Sequence, residues 1–434
     1  MSAQAEPDSA PGPQPSGARS QLARRLISGF FGYALIGAAR ALVPFILLPI
    51  LAKYLTKGEL GTLYLIETLA QITSPFVLGN IQGAISSEFF HLSARELRAY
   101  IGAALAAAST ALLLVSGAFI AWHLAGGYQW DVPTQYFLLA PLLASSRILG
   151  NVVLGLMQMQ QRIRPYALLS LAMIVLDIAV TATAVIVLLQ GLGGRLMGTL
   201  ASQALITAAS LIWLYKQGLM NFDGMRQFLA PVLRYVLPLV PHTLAGTLLS
   251  MSDRFLLSKF LGNSVLAIYG VAAQLSSGMM LVSMAVCQAW NPMLFRAYKD
   301  HGRNADAYVN PMLLKIQGFF ALTAIGVLVV GHVILERWMG SSFEDSLTVM
   351  PWLIGGLFLQ SCFMLYSSTF FYLGRTGLLS SITVLGALLT IALNFWAIPR
   401  YGALGAGYAS CVSWAVVYVV TRTVHLHLRR TAQR

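Results

Sequence analysis

Residues 27–51 read ISGFFGYALIGAARALVPFILLPIL. This is an apolar run of the length that crosses a bilayer, since about 20 apolar residues cover about 30 Å of hydrocarbon. It carries one charge, Arg40, and two prolines, Pro44 and Pro49. Similar runs follow at about 60–80, 99–122, 134–157, 166–189, 196–215, 233–256, 264–290, 311–334, 347–372, 378–398 and 403–424. The composition agrees: 57% of the 434 residues are hydrophobic and 10% charged, against roughly 25% charged in soluble domains. The expected fold is an all-α integral membrane protein with about twelve transmembrane helices.

Loop charge sets the expected orientation. Alternating the spans puts nineteen Lys and Arg residues on one side. Six lie on the other, Lys53, Lys57, Arg195, Lys259, Arg337 and Arg400, and Arg40, Arg147 and Arg254 fall within or near spans. The positive-inside bias places both termini in the cytoplasm. Residues 1–24 carry Pro7, Pro11, Pro13 and Pro15 and no apolar run, which reads as a disordered cytoplasmic tail and not as a signal peptide. Residues 425–434 read as a basic cytoplasmic tail.

An internal echo divides the rest. Lys53-Tyr54-Leu55, then Gly61 and Tyr64, resembles Lys259-Phe260-Leu261, then Ala267 and Tyr269, about half a chain later. It suggests two pseudo-symmetric six-helix lobes around a central cavity, at 25–216 and 233–424, joined by a cytoplasmic linker at 217–232.

Several chemistries find no support. The basic residues are dispersed, unlike the clustered stripe of a nucleic-acid binder. No HExxH, CxxC or phosphate-loop motif occurs, so neither a metal nor another cofactor is expected. Cys287, Cys362 and Cys411 lie in apolar runs and read as small buried hydrophobes. The loops are too short for a soluble catalytic domain.

Charges inside apolar sequence are the informative residues, because an intramembrane ion is stable only beside a partner, water or a ligand. Arg40, Arg147 and Arg254 are candidates for contact with substrate phosphate, which a guanidinium fork suits. Glu67 and Asp177 are candidate partners for these arginines or sites for a coupling ion. Asp253, beside Arg254, reads as a structural or gating partner, and Glu88 as an inner-gate residue. Asn151 and Asn394 read as interhelical hydrogen-bonding points. Pro44, Pro49, Pro238 and Pro241 are hinge candidates, and Pro292 is expected to close the eighth span.

Three stretches in order carry a family resemblance. They are GFFGYALIGAARALVPFILLPILAKYLTKGELGTLYL at 29–65, LPLVPHTLAGTLLSMSDRFLLSKFLGNSVLAIYGVAAQ at 237–274 followed by QAWNPMLF at 288–295, and GRTGLLSSITVLGALLTIALNFWAIPRYGALGAGYAS at 374–410. Together they resemble the polysaccharide biosynthesis flippases of the multidrug/oligosaccharidyl-lipid/polysaccharide (MOP) exporter superfamily, including O-antigen and exopolysaccharide repeat-unit translocases. The shared features are an intramembrane Arg (Arg40), a Glu-x-Gly turn (Glu59 to Gly61), P-x-x-P at Pro238 to Pro241, and the Asp253-Arg254 pair. Lys57 departs from the family, which usually has proline there.

The resemblance implies a non-enzymatic, alternating-access carrier in the bacterial cytoplasmic membrane. Its substrate would be a polyprenyl-(pyro)phosphate-linked oligosaccharide. Polysaccharide polymerase and glycosyltransferases would be neighbours, and H+, Na+ or the membrane potential would supply coupling. The rival readings are a multidrug cation exporter of the same superfamily and a membrane enzyme of polysaccharide assembly.

Overall fold

The computed structural model describes residues 35–127, 132–220 and 223–433. The expected N-terminal tail, with Arg19, Arg24 and Arg25, lies outside them. The described residues form an all-α bundle. Eleven of its helices are long and apolar enough to cross a membrane. Large apolar side chains such as Leu113, Leu114, Leu168, Leu322 and Ile325 stand exposed on its outside, as hydrocarbon solvent allows and water does not. The chain is a multi-pass membrane protein.

The first span is α1, Leu35–Tyr54. The second departs from the expectation of one continuous helix over 60–80. It is broken into α2, Lys57–Thr73, and α3, Ile81–Glu88. Pro75 removes a backbone donor at the break. Leu78 there takes a left-handed conformation at φ 58°, which costs a branched side chain free energy and clusters at working sites. Each piece is too short to span alone.

Further helices follow: α4 Ala94–Leu124, α5 Thr134–Met159, α6 Ile163–Val187, α7 Gly191–Lys216, then α9 Leu239–Leu261 after a short α8, Arg226–Val236. Beyond them run α10 Asn263–Ser276, α11 Gly278–His301, α12 Ala305–Met339, α13 Ser346–Tyr372, α14 Thr376–Tyr401 and α15 Ala403–Gln433. The linker expected over 217–232 thus contains the start of α8. Its apolar face, with buried Val232 and Val236, packs on α4 and α3, as an amphipathic interfacial helix would.

Pro238 and Pro241 lie at the interruption between α8 and α9, where proline fits the first turn of the second helix. Pro292 lies inside α11, which continues to His301. The interruption there is at Ser277, between α10 and α11. Pro49 does sit inside a helix, whereas Pro44 occupies the first turn of the segment Val43–Tyr54, after a turn at Leu42.

The Glu-x-Gly motif has a physical cause. Thr56 caps α2, with Glu59 reaching back to the Thr56 amide at 2.9 Å, a reciprocal capping box. The other Glu59 oxygen accepts the Leu192 amide at 3.4 Å, tying α2 to the start of α7. Gly61, one turn further, faces the start of α10 so closely that a Cβ would lie 1.7 Å from the Asn263 carbonyl oxygen.

Helix α2 forms the seam to the later half of the chain. It packs on α10 and α9. Asn263 Nδ2 donates to Thr62 Oγ1 at 3.0 Å, Tyr64 Oη to Gln274 Oε1 at 3.0 Å, and beyond α2 Asn80 Nδ2 to Thr243 Oγ1 at 2.9 Å. Gly270 leaves room for the Tyr64 ring. The seam therefore runs the length of the broken span.

The expected basic tail at 425–434 is instead the end of α15, described to Gln433. His425 is buried and meets the Tyr366 ring edge-on at 5.1 Å. Arg429 is also buried; it donates to Asp306 Oδ1 at 2.8 Å and lies 4.3 Å from the Tyr298 ring centroid. Hydropathy ends a span at such charges, but a paired Arg continues the helix. Removing one partner of a buried ion pair costs about 3–5 kcal/mol. Asp306→Ala is therefore expected to lower the melting temperature of the detergent-solubilised protein by several degrees, while Lys299→Ala on the exposed surface leaves it unchanged. An equal melting temperature for Asp306→Ala would contradict the pairing.

Candidate functional site

A cavity of ≈ 710 Å³ opens among α1, α2, α5, α6 and α7, with Gln274 of α10 at its edge. Three arginines line it, Arg40, Arg147 and Arg195, with two carboxylates, Glu67 and Asp177. The kinks reach it too: Pro44, Ser74 and Gly79 are on its wall, and the Pro44 carbonyl accepts from Gln274 Nε2.

Arg40 is half-buried in α1. Its Nη2 donates to Asn151 Oδ1 at 3.2 Å, which accounts for Asn151 in an apolar helix. The Tyr166 hydroxyl and the Arg147 guanidinium are its other polar neighbours. Arg147 sits at a turn in α5, between the pieces Ala140–Ser145 and Ile148–Met159, and its side chain is exposed to the cavity. Among the described residues neither Arg40 nor Arg147 forms an ion pair. Two like charges stand together without a carboxylate, an arrangement that favours an anion between them.

Arg195 corrects the sequence reading, which left it in an outer loop. Helix α7 begins at Gly191, one turn earlier than hydropathy indicates. The glycines of this start let α7 come close to α6: at Gly198 a Cβ would lie 3.2 Å from Thr181 Cα, and at Gly194 3.0 Å from the Ala184 carbonyl oxygen. That approach buries Arg195 to 6% exposure. Its Nη1 donates to Thr181 Oγ1 at 3.0 Å and Asp177 Oδ1 at 3.3 Å, and its Nη2 lies 3.7 Å from Glu67 Oε1. Glu67 and Asp177 are thus partnered by Arg195, and not by Arg40, Arg147 or Arg254 as expected. The signal in the sequence was GLGGR at 191–195, a small-residue helix start followed by a charge.

The remaining candidates lie elsewhere. Arg254 is half-buried in α9 and reaches Thr68 Oγ1 of α2 at 3.4 Å; it belongs to the seam and does not line the cavity. Asp253 does not form an ion pair with Arg254. It accepts the Arg254 amide at 2.8 Å and the Tyr269 hydroxyl. Glu88 ends α3, half-buried and off the cavity wall. Asn394 is buried with neither amide atom partnered, so interhelical bonding does not account for it. Cys287 and Cys362 are buried and Cys411 half-buried.

Comparison with known proteins adds family. The polysaccharide biosynthesis protein family model matches residues 26–298. The probable low-salt glycan biosynthesis flippase Agl15 of Haloferax volcanii is 28% identical over 183 residues, 41% of this chain and 38% of that protein. The chain thus spans well under half the length of that relative. Lsg locus putative protein 1 of Haemophilus influenzae is 24% identical across 81% of this chain and 86% of its own length. Among solved structures, the lipid II flippase MurJ in an inward closed conformation aligns with a TM-score of 0.65 at 14% identity, covering 92% of this chain and 87% of that one. An inward-facing multidrug resistance MATE family transporter aligns with 0.64 at 16%, covering 92% and 99%. Those two likenesses establish the fold alone. With the family match over residues 26–298, the chain belongs to the polysaccharide biosynthesis protein family.

Proposed function

We propose that this protein is an alternating-access flippase. It carries a polyprenyl-(pyro)phosphate-linked oligosaccharide from the cytoplasmic to the outer leaflet of a bacterial cytoplasmic membrane, for cell-surface polysaccharide assembly. Arg40 and Arg147, together on the cavity wall and in no ion pair among the described residues, carry the reading. They offer forked donors to phosphate oxygens while the sugar occupies the polar lining and the lipid tail stays in the bilayer. Two six-helix lobes, rocking about the α2 seam, would open the cavity to each leaflet in turn. An inside-negative potential favours outward movement of an anion by about 2.3 kcal/mol per charge per 100 mV.

The second reading is a multidrug or cation exporter of the same superfamily. MATE transporters recur among solved structures of similar fold, and Glu67 and Asp177 line the same cavity. Both carboxylates lie beside Arg195, and the three arginines of the cavity wall outnumber its two carboxylates, which favours the anionic substrate.

Proteoliposomes holding a fluorescent polyprenyl-pyrophosphoryl oligosaccharide separate the two. The expected result is head-group translocation well above protein-free vesicles, with ethidium not transported. Ethidium transport without head-group translocation would overturn the flippase reading. In the same assay Arg147→Ala is expected to slow translocation by about threefold to tenfold, because its exposed guanidinium is better screened than that of Arg40.

A further inference from the structure

The charges in the cavity are sorted into two groups. Arg40 and Arg147 stand together on α1 and α5. Glu67, Asp177 and Arg195 form the other group, on α2, α6 and α7. The polar groups acting on Arg40 are Asn151, Tyr166 and Arg147, and neither carboxylate is among them. Among the described residues Arg195 alone bridges both carboxylates. Its side chain is 7% exposed and that of Asp177 9%, whereas that of Glu67 is 42% exposed and faces the cavity.

We propose that Arg195 is the residue that sets the sign of the ligand this cavity accepts. It need not touch the substrate. It pairs with Asp177 and lies beside Glu67, so that the arginines of the cavity exceed its carboxylates by one positive charge. Without Arg195 the cavity holds two arginines and two bare carboxylates, and Glu67 presents its carboxylate directly to an entering cation. One guanidinium would thereby separate an anion-selective cavity from a cation-accepting one within a single fold. Specificity of this kind works by removing the wrong partner's counter-charge as much as by supplying the right one.

The inference rests on the anionic reading of the same cavity, and its test distinguishes the two. Full-length protein in nanodiscs would be titrated with farnesyl pyrophosphate as anion and tetraphenylphosphonium as cation, for the native protein, Arg195→Lys and Arg195→Gln. Gel filtration and melting temperature would report folding. The native protein and Arg195→Lys are expected to bind the anion and not the cation. Arg195→Gln is expected to gain cation affinity by about tenfold or more and to lose anion affinity by a similar factor. A merely structural Arg195 would lower melting temperature without changing which probe binds. A folded Arg195→Gln that keeps the native preference overturns the inference and leaves the flippase reading standing. Native protein that prefers the cation overturns the flippase reading itself. If Arg195→Gln does not fold, Asp177→Asn/Arg195→Gln removes the stranded buried carboxylate and keeps Glu67. It too must gain cation affinity, and absence of that gain overturns the inference.

Discussion

Arg40→Ala is expected to reduce outward movement of the lipid-linked head group by tenfold or more, the largest loss from any single cavity side chain. A charge-assisted hydrogen bond contributes about 1.5–3 kcal/mol, which is about tenfold to 150-fold in binding. Arg40 is placed to make more than one, because the bond from Nη2 to Asn151 and the neighbouring Tyr166 hydroxyl hold the guanidinium in place. Asn151 also stands to lose its partner in the variant. Lysine would keep the charge and lose the fork, so Arg40→Lys should recover part of the rate, less than half of it. Initial rates in proteoliposomes, at matched protein incorporation and melting temperature, read this directly. Native rates in a folded Arg40→Ala would exclude Arg40 as the phosphate contact and remove the main support for an anionic substrate.

The arginine could be found in sequence because nothing around it was polar. One charge in a 25-residue apolar run is conspicuous, and the cavity does form around it. The same logic failed at Arg195, whose neighbours are glycines. Hydropathy treats GLGG as loop and the charge as its end, whereas close helix packing uses glycine to bury the charge. Apolar run length found eleven of the twelve spans as long helices. It missed the interruption of the second, since Pro75 and Gly79 break a helix without changing its apolar content. The end of α15 was lost for the opposite reason. Arg429 and His425 look like a soluble tail until Asp306, more than a hundred residues earlier, is seen beside them. Local composition reveals where apolar solvent is needed. It does not reveal which distant charge makes a polar residue welcome inside. The Asp253-Arg254 pair carried the family resemblance, and its place at the α2 seam, off the cavity wall, follows from the contact with Thr68 alone.

Gly61→Ala should produce the second large effect, through the seam and not through the cavity charges. An added Cβ would lie 1.7 Å from the Asn263 carbonyl oxygen and 2.5 Å from its carbonyl carbon. Both atoms are backbone, so no side-chain rotation relieves the clash. Asn263 is also fixed by Ser258 Oγ at 2.6 Å and by its own bond to Thr62. The start of α10 must therefore move away from α2, giving up those bonds and loosening the Tyr64 ring from Gly270. Overpacking of this kind costs about 1–3 kcal/mol, and rigid contacts lie at the upper end. If the two halves rock about this seam, the variant should favour separation at this end and slow translocation by about tenfold or more, because a shift of about 1.4 kcal/mol already changes a conformational ratio tenfold. Spin labels on Lys53→Cys and Lys259→Cys, both exposed positions, should report a longer distance once Cys287, Cys362 and Cys411 are replaced by serine. Gly58→Ala is the control: a Cβ there meets nothing within 4 Å, and alanine favours the helix. A Gly61→Ala protein with native melting temperature, label distance and transport would show that α2 and α10 do not need to meet, and the seam would lose its place in the transport cycle.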